Sequence, residues 1–235
     1  MWLFHKTTVL SRSGLLKGMV DCHSHLLPGV DDGVQSMEES LQILREMEQQ
    51  GIRRVWLTPH IMEDIPNETL ALQRKFWELL QQYRGAVELK LAAEYMLDNL
   101  FEERLEKEDL LLLEEGKRFL LVETSYFNPP MDLLSVLQRI QKKGYYPLLA
   151  HPERYAYMQM KDYQVLKENQ IDFQLNVPSL AGLYGKNVQK KAEDLLKAGM
   201  YDRMGGDTHS AASYQRFLQG EICKNIVGFI LRQKE

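Results

Sequence analysis

The sequence predicts an α/β fold built as a distorted (β/α) barrel of seven units, and three observations predict it. Short apolar runs of β character alternate with stretches of helical periodicity along the chain. About seven such units fill the 235 residues, at the roughly 30 residues a βαβ repeat occupies. Polar, metal-capable residues recur at the C-terminal ends of the apolar runs, where a parallel barrel gathers its active site. An open, doubly wound sheet is the competing architecture.

Strands are expected near 19–22, 52–58, 87–93, 118–122, 146–150, 171–175 and 201–205. Each is short, apolar and bounded by turn or polar residues, as a strand buried on both faces is. Ser36 with Glu39 reads as a capping box. It opens a helix with Met37, Leu41, Leu44 and Met47 on one face, and Gly51 stands where a helix-ending glycine belongs. The stretch 68–84 carries Leu72, Phe76, Leu79, Leu80 and Tyr83 at helical spacing. The stretch 132–143 ends in Lys142-Lys143-Gly144, and 187–198 ends before Gly199. Residues 1–18 read as an N-terminal extension to a single domain over 19–235. Trp2, Leu3 and Phe4 are expected to pack on that domain, contact with a partner being the alternative, and His5 reads as an ordinary tail histidine.

Composition narrows the function classes. A formal charge of −4 gives no basic face of the kind a nucleic-acid binder carries. Two cysteines, Cys22 and Cys223, make no disulfide framework, so a reducing, cytoplasmic compartment is expected. No apolar run approaches the roughly 20 residues that span a bilayer, and residues 1–18 show no signal-peptide core.

Five of the six histidines fall at strand ends. His23 and His25 follow the first strand, His60 the second, His151 closes the fifth and His209 follows the seventh. Glu94 closes the third strand, Glu123 the fourth, and Asp207 precedes His209. Asn176, at the end of the sixth, reads as a hydrogen-bonding or loop residue. Taken singly, a buried histidine is usually a hydrogen-bonded core residue and a strand-end glutamate usually pairs with a lysine. Five histidines at one mouth do not arise that way. Imidazole with carboxylate suits Zn, Mn or Fe, and no cysteine cluster has structural-zinc spacing. Cys22 lies inside the His motif but should point away from His23, in a packing role.

Asp21-Cys22-His23-Ser24-His25, Thr58-Pro59-His60, the strand-end Glu94, His151-Pro152-Glu153-Arg154-Tyr155 and Asp207-Thr208-His209 together resemble the PHP (polymerase and histidinol phosphatase) superfamily. The segment from His23 to Gly33 and the block His151–Tyr155 are similar to the bacterial manganese-dependent protein tyrosine phosphatases of capsule and exopolysaccharide synthesis. The resemblance implies a distorted, TIM-like (β/α)7 barrel with three divalent ions, manganese first, with Fe, Zn, Co or Mg as alternatives. It implies that His23, His25, Glu94 and Asp207 hold one ion, that Glu94, Glu123 and His151 hold a second, and that Asp32, His60 and His209 hold a third. Asp31 ranks second for that acidic ligand. Arg154 is implied to bind the substrate phosphate, and Arg154, Asp207 and His209 to act in catalysis. Ser210 follows His209 where the family commonly has Asn, which leaves Arg216 as the nearest second phosphate-binding arginine.

The implied reaction is in-line attack of a metal-bridged hydroxide on the phosphate of a phosphotyrosine protein, a bacterial tyrosine autokinase tail. Three divalent ions outweigh the four carboxylates, so the site calls for a phosphate dianion. Metal coordination lowers the pKa of water to roughly 7. A Cys-x5-Arg phosphatase is excluded, since the residues at that spacing from the two cysteines are Pro28 and Phe229, and no Walker A loop is present. Tyr126, Phe127, Tyr155 and Tyr157 line up just past the expected ligands, as a slot for a phenyl ring or as packing at the mouth. Two readings compete with the phosphotyrosine one: a PHP-type phosphoesterase of a small molecule such as histidinol phosphate, and a metal-stabilised regulator without turnover.

Overall fold

Strands with apolar residues on both faces need both faces of a parallel sheet covered; here helix residues pack on one face in the main core, and a second buried cluster holds strand side chains without any from a helix. The computed structural model describes residues 6–114, 116–128 and 130–233; Trp2, Leu3, Phe4 and His5 lie outside the described residues. The elements run β1 (Thr7–Val9), β2 (Val20–Asp21), α1 (Met37–Gln49), β3 (Arg54–Leu57), β4 (His60–Ile61), α2 (Thr69–Gln82), β5 (Glu88–Leu91), β6 (Glu94–Met96), α3 (Asn99–Lys107), β7 (Leu113–Glu114), β8 (Arg118–Glu123), α4 (Leu133–Lys142), β9 (Tyr146–Ala150), α5 (Met160–Glu168), β10 (Asp172–Asn176), α6 (Val177–Leu180), α7 (Lys186–Lys197), β11 (Arg203–Gly205), α8 (Ala211–Gln219), β12 (Glu221–Cys223) and α9 (Lys224–Gln233).

All seven expected runs contain strands, but two are broken. The run at 52–58 gives β3, then a bend at Thr58-Pro59, then β4. Pro59 has no N–H to give to a ladder. The run at 87–93 likewise gives β5, then Ala92-Ala93, then β6. The breaks divide the sheet. β2, β3 and β5 pair in parallel, and β4, β6, β8, β9, β10 and β11 form a second parallel succession, with β7 antiparallel on β8. Backbone bonds from Ala92 N to Leu57 O (2.9 Å) and from Glu94 N to Pro59 O (3.1 Å) carry the pairing across the breaks. On the far side, Cys22 N donates to Met204 O (3.1 Å), Asp207 N to His23 O (2.7 Å) and His25 N to Thr208 O (2.9 Å). His60 and Glu94 therefore lie in strands of their own, directly opposite each other in register, rather than at the ends of longer ones.

The helices show where local signals hold and where tertiary contacts override them. Ser36 Oγ accepts from Glu39 N at 3.2 Å, the expected N-cap of α1. Glu39 does not complete the box, because its carboxylate accepts from Ala211 N at the start of α8 (2.8 Å). Gly51 and Gly144, with φ of +78° and +85°, end α1 and α4 as their positions imply. α3 and α5 have nine residues each, too few for a period to stand out.

Ile43, Leu44 and Met47 of α1 join Val55, Leu57, Leu120, Val122, Leu149, Phe173 and Leu175 of the strands in the main core. Cys22 packs in a second buried cluster with Trp56, Leu121, Leu148 and Ala150. Within residues 1–18, Thr7–Val9 pairs antiparallel with Glu221–Cys223, and Leu10, Leu15 and Leu16 are in the main core. Among the described residues, no helix is long and apolar enough to cross a membrane.

Gly205 ends β11 against the first histidine. A Cβ there would lie 2.6 Å from His23 Cβ and 2.8 Å from Gln174 Nε2. Overpacking of that kind costs about 1–3 kcal/mol. Gly205→Ala is therefore expected to lower the thermal midpoint by roughly 2–12 °C in a chain of this size, as read by calorimetry.

Candidate metal centre

The breaks in the strands and the loops that follow them bring donors from both parallel sheets to one place. Asp21, the last residue of β2, starts the construction. Its Oδ1 accepts from His23 N (3.1 Å) and Gly206 N (2.8 Å), tying the segment after β2 to the one after β11. Burial pushes this carboxyl up to about 6 despite those two bonds. His23 Nε2 then lies 3.0 Å from Glu94 Oε2, 3.1 Å from His25 Nε2 and 3.5 Å from Asp207 Oδ1. His25 Nε2 lies 3.3 Å from Glu94 Oε2 and 3.5 Å from Asp207 Oδ1.

Glu94 reaches in both directions. Its other oxygen, Oε1, lies 3.1 Å from His151 Nε2, and Glu123 Oε2 is 3.8 Å from the same nitrogen. His60 Nδ1 stands 3.3 Å from Glu94 Oε2 and 3.2 Å from Glu123 Oε1. Its Nε2 is 3.6 Å from Asp32 Oδ1, as is His209 Nε2. The structure thus brings together all nine expected ligands in four overlapping groups: His25, Asp32, His60 and His209; His23, His25 and Asp207; His23, Glu94 and His151; and His60, Glu94 and Glu123. His60 straddles two of the implied subsites, closer to Glu123 than His151 is.

This donor set fits metal ions. Ligand atoms about 2.0–2.2 Å from a cation stand roughly 3.0–3.5 Å from one another, the spacing found here. His60 Nδ1 is buried and, although 3.2 Å from Glu123 Oε1, makes no well-aligned hydrogen bond among the described residues. The charges make the same point. Burial acts to lower the basicity of His23, yet Glu94 and Asp207 more than offset it and hold the imidazolium up to about 9. His25 is likewise pushed well up, by Asp31 and Glu94 against burial. Burial acts to raise Glu94, and the imidazoles of His23 and His60 pull it well below its usual range. Without an ion, protons supply the positive charge that these carboxylates demand, and a bound divalent cation would take their place.

Asp31 and Asp32 occupy different places. Asp31 Oδ2 accepts from His25 Nδ1 (2.8 Å) and His60 N (3.0 Å), and Oδ1 accepts from Gly33 N (3.0 Å). Burial acts to raise this carboxyl, but the His25 bond holds it at about 2. It orients His25 from behind, as carboxylates do for metal-ligating histidines. Asp32 instead faces His60 and His209, with its side chain 66% exposed.

Arg154 stands beside the donors. Its Nη1 donates to Asp207 Oδ2 (2.7 Å), which also accepts from Asn176 Nδ2 (2.9 Å). The guanidinium lies between the rings of Tyr126 and Tyr184, 4.4 and 4.5 Å from their centroids. Glu153 secures the turn that carries Arg154: its carboxylate accepts from Asn176 N (3.0 Å), Ser179 Oγ (2.7 Å) and Tyr201 OH (3.0 Å). His151 and Asp207 hold left-handed backbone, with φ of +32° and +49°. Such strain in non-glycine residues gathers at functional sites.

The four aromatics divide. Tyr126 stacks on Arg154, Tyr155 is fully buried and donates to Ala150 O (2.9 Å), Tyr157 packs beside it, and Phe127 is exposed. Arg216 lies exposed on α8, lining a cavity of about 60 Å³ with Asp207, Tyr184 and Ser213. Tyr184 has no counterpart in the sequence reading. It sits in an irregular, glycine-flanked segment, and no periodicity marks it.

An ion bound only by the folded state stabilises it by about 2.7 kcal/mol at 100 times its Kd. Adding manganese to chelator-stripped protein at that ratio is expected to raise the thermal midpoint by roughly 5–11 °C, and chelator to reverse the rise. A midpoint indifferent to Mn, Zn, Co and Fe counts against the centre.

Comparison with known proteins agrees with this geometry. The family described as capsular polysaccharide synthesis, CpsB/CapC, matches residues 19–227. The chain is 30% identical over 216 residues to the tyrosine-protein phosphatase CpsB of Streptococcus pneumoniae, covering 86% of this chain and 87% of that one. It is 28% identical over 198 residues to the tyrosine-protein phosphatase YwqE of Bacillus subtilis, covering 82% and 78%. A solved structure from work on YwqE and CpsB, described there as metal-dependent tyrosine phosphatases, has the same fold, with a TM-score of 0.75 at 24% identity over 92% of this chain and 87% of that one. With the family match running from just before β2 into α9, the chain belongs to the CpsB/CapC family of capsular polysaccharide synthesis.

Proposed function

We propose that this chain is a metal-dependent tyrosine-protein phosphatase whose site is the mouth of a distorted seven-unit barrel. The observation that carries the reading is the convergence of nine imidazole and carboxylate ligands beside one stacked arginine. The bonds that link the segments after β2 and β11, and the parallel bridge from Ser24 to Thr208, support closure of the ring. The names of the relatives favour phosphotyrosine over a small phosphate ester. The complete donor set speaks against a regulator without turnover.

His23, His25, Asp32, His60, Glu94, Glu123, His151, Asp207 and His209 would hold the ions, three in number and manganese first, which suits a mixed set of imidazole and carboxylate. Bound divalent ions would make a nucleophile from water near neutral pH and offset the charge of the phosphate. The protein supplies the rest. Arg154 offers a planar fork to the phosphate oxygens, and Tyr126 and Tyr184 hold that plane fixed. Burial raises the phenol of Tyr126 far above its usual range, so it stays neutral beside the anion. Arg216, across the small cavity from Asp207, is a second candidate for phosphate contact. The substrate we assign is a tyrosine-phosphorylated protein, the tail of a bacterial tyrosine autokinase in the cytoplasm. The family's place in capsular polysaccharide synthesis supports that assignment.

The test is phosphate release from a phosphotyrosine peptide by stripped and reloaded protein, against a panel of small esters including histidinol phosphate. Higher kcat/KM on the peptide supports the reading, and no release under Mn, Co, Zn and Fe loading overturns it. His60→Ala and Asp207→Ala are each expected to lower kcat/KM by more than the roughly 10–100-fold that loss of an outer hydrogen-bond partner costs. Arg154→Lys keeps the charge but loses the fork and the stacking. It is expected to cost about tenfold or more in kcat/KM, close to 1.4 kcal/mol of transition-state stabilisation.

A further inference from the structure

Gln174 is fully buried in β10, in register with Ala150 of β9 on one side and Arg203 of β11 on the other. A buried amide without partners costs about 1–3 kcal/mol per unmet group, so its bonds need an account. Gln174 Oε1 accepts from His151 N (3.1 Å) and lies 2.9 Å from His23 Nδ1. Its Nε2 donates to Leu175 O (2.7 Å). These partners fix which end is which. A backbone N–H only donates, so the atom facing His151 N is the oxygen; a backbone carbonyl only accepts, so the atom facing Leu175 is the nitrogen. His23 Nδ1 must then carry a proton, and its Nε2 is the atom turned toward Glu94, His25 and Asp207.

One oxygen therefore sets two groups of the centre, the ring of His23 and the backbone of His151. The second matters because His151 sits in left-handed backbone, with φ of +32°, which surrounding bonds must hold. Asp31 does for His25 with a carboxylate what Gln174 does for His23 with an amide. The difference has an electrostatic reason. His23 already faces Glu94 and Asp207, and a third buried carboxylate behind it would add a charge that the interior must neutralise. Gly205 leaves the room, since a Cβ there would meet Gln174 Nε2 at 2.8 Å.

We infer that Gln174 is a positioning residue of the metal centre, holding His23 with Nε2 free to ligate and His151 in its strained pose. This rests on the metal reading given under the proposed function. Three proteins test it: the wild type, Gln174→Leu, which removes the acceptor at similar volume, and Gln174→Glu, which keeps the acceptor but gives up the donor to Leu175 O and adds a buried charge, so that its recovery is partial. Manganese titration of the stripped proteins is expected to show Kd weakened roughly 10–100-fold in Gln174→Leu and restored to within about tenfold of wild type in Gln174→Glu. The weakening should fall on ions that His23 and His151 hold. At least one binding event, at the group of His25, Asp32, His60 and His209 that does not touch Gln174, should keep its wild-type Kd. Uniform weakening of every event, an unchanged Gln174→Leu, or a Gln174→Glu as weak as Gln174→Leu overturns the inference. A second readout needs no ion. The proton NMR spectrum of the metal-free wild type should show a His23 Nδ1 proton protected from exchange and absent in Gln174→Leu. Failure of the wild type to bind manganese would overturn the metal reading, whereas absence of that protected proton would overturn the role of Gln174 even if manganese binds.

Discussion

A single buried carboxylate organises this molecule. Glu94 is wholly withdrawn from solvent, and its two oxygens lie 3.0–3.3 Å from nitrogens of His23, His25, His60 and His151. An ionised carboxylate in such a place is tolerable only with compensating charge close by. Four imidazoles, two from the segment after β2, one from β4 and one just past β9, surround it, and that compensation falls to them or to cations. The fold delivers those four side chains to one point, and the breaks after β3 and β5 and the positive φ at His151 and Asp207 lie on the way to doing so.

The irregularities share a cause. A regular strand sends alternate residues to opposite faces and would carry His60 and Glu94 past each other. The Thr58-Pro59 bend and the Ala92-Ala93 break stop the first halves and restart the pairing with His60 opposite Glu94. At the ends of β9 and β11 the backbone turns instead through positive φ at His151 and Asp207. Non-glycine residues hold that conformation only when their surroundings over-determine it. Here the surroundings are Gln174 behind His151, and Arg154 with Asn176 on Asp207.

That logic explains what could be read in the sequence. The strand ends were legible because burial on both faces writes a continuous apolar run, and a polar residue that terminates such a run has few reasons to be there. His23, His25, Glu94, Glu123 and His151 all stood out on that ground. Asp32 ranks ahead of Asp31 only through the family resemblance, because adjacent loop residues share every sequence property; the bonds from His25 and His60 to Asp31 are what tell them apart physically. The strand breaks were hidden for a similar reason, since Ala92-Ala93 looks like continued strand. Glu39 looked like a local cap and made a distant bond to α8. Tyr184 carried no signal at all. Gln174 did carry one, as a lone amide inside the apolar run from Ile171 to Leu175, and a buried polar group in such a run always needs a partner.

Asp207 shows how the two halves of the proposed chemistry are joined. Its Oδ1 faces His23 and His25, while its Oδ2 accepts from Arg154 and Asn176. One carboxylate is thus divided between a place for cations and a place for an anion. Histidine and arginine charges nearby hold it ionised against its burial, so both oxygens remain acceptors. In the proposed function, an ion held at Oδ1 would draw charge from Oδ2 and loosen its hold on the guanidinium of Arg154, which would leave more of the donor fork for a phosphate. A phosphate drawing on Arg154 would in turn return charge to Asp207 and strengthen its hold on an ion. Coupling of this kind is reciprocal by necessity. It gives a physical reason for an arginine to be tied to a metal ligand rather than left free at the rim, where solvent would screen it and side-chain entropy would oppose its ordering.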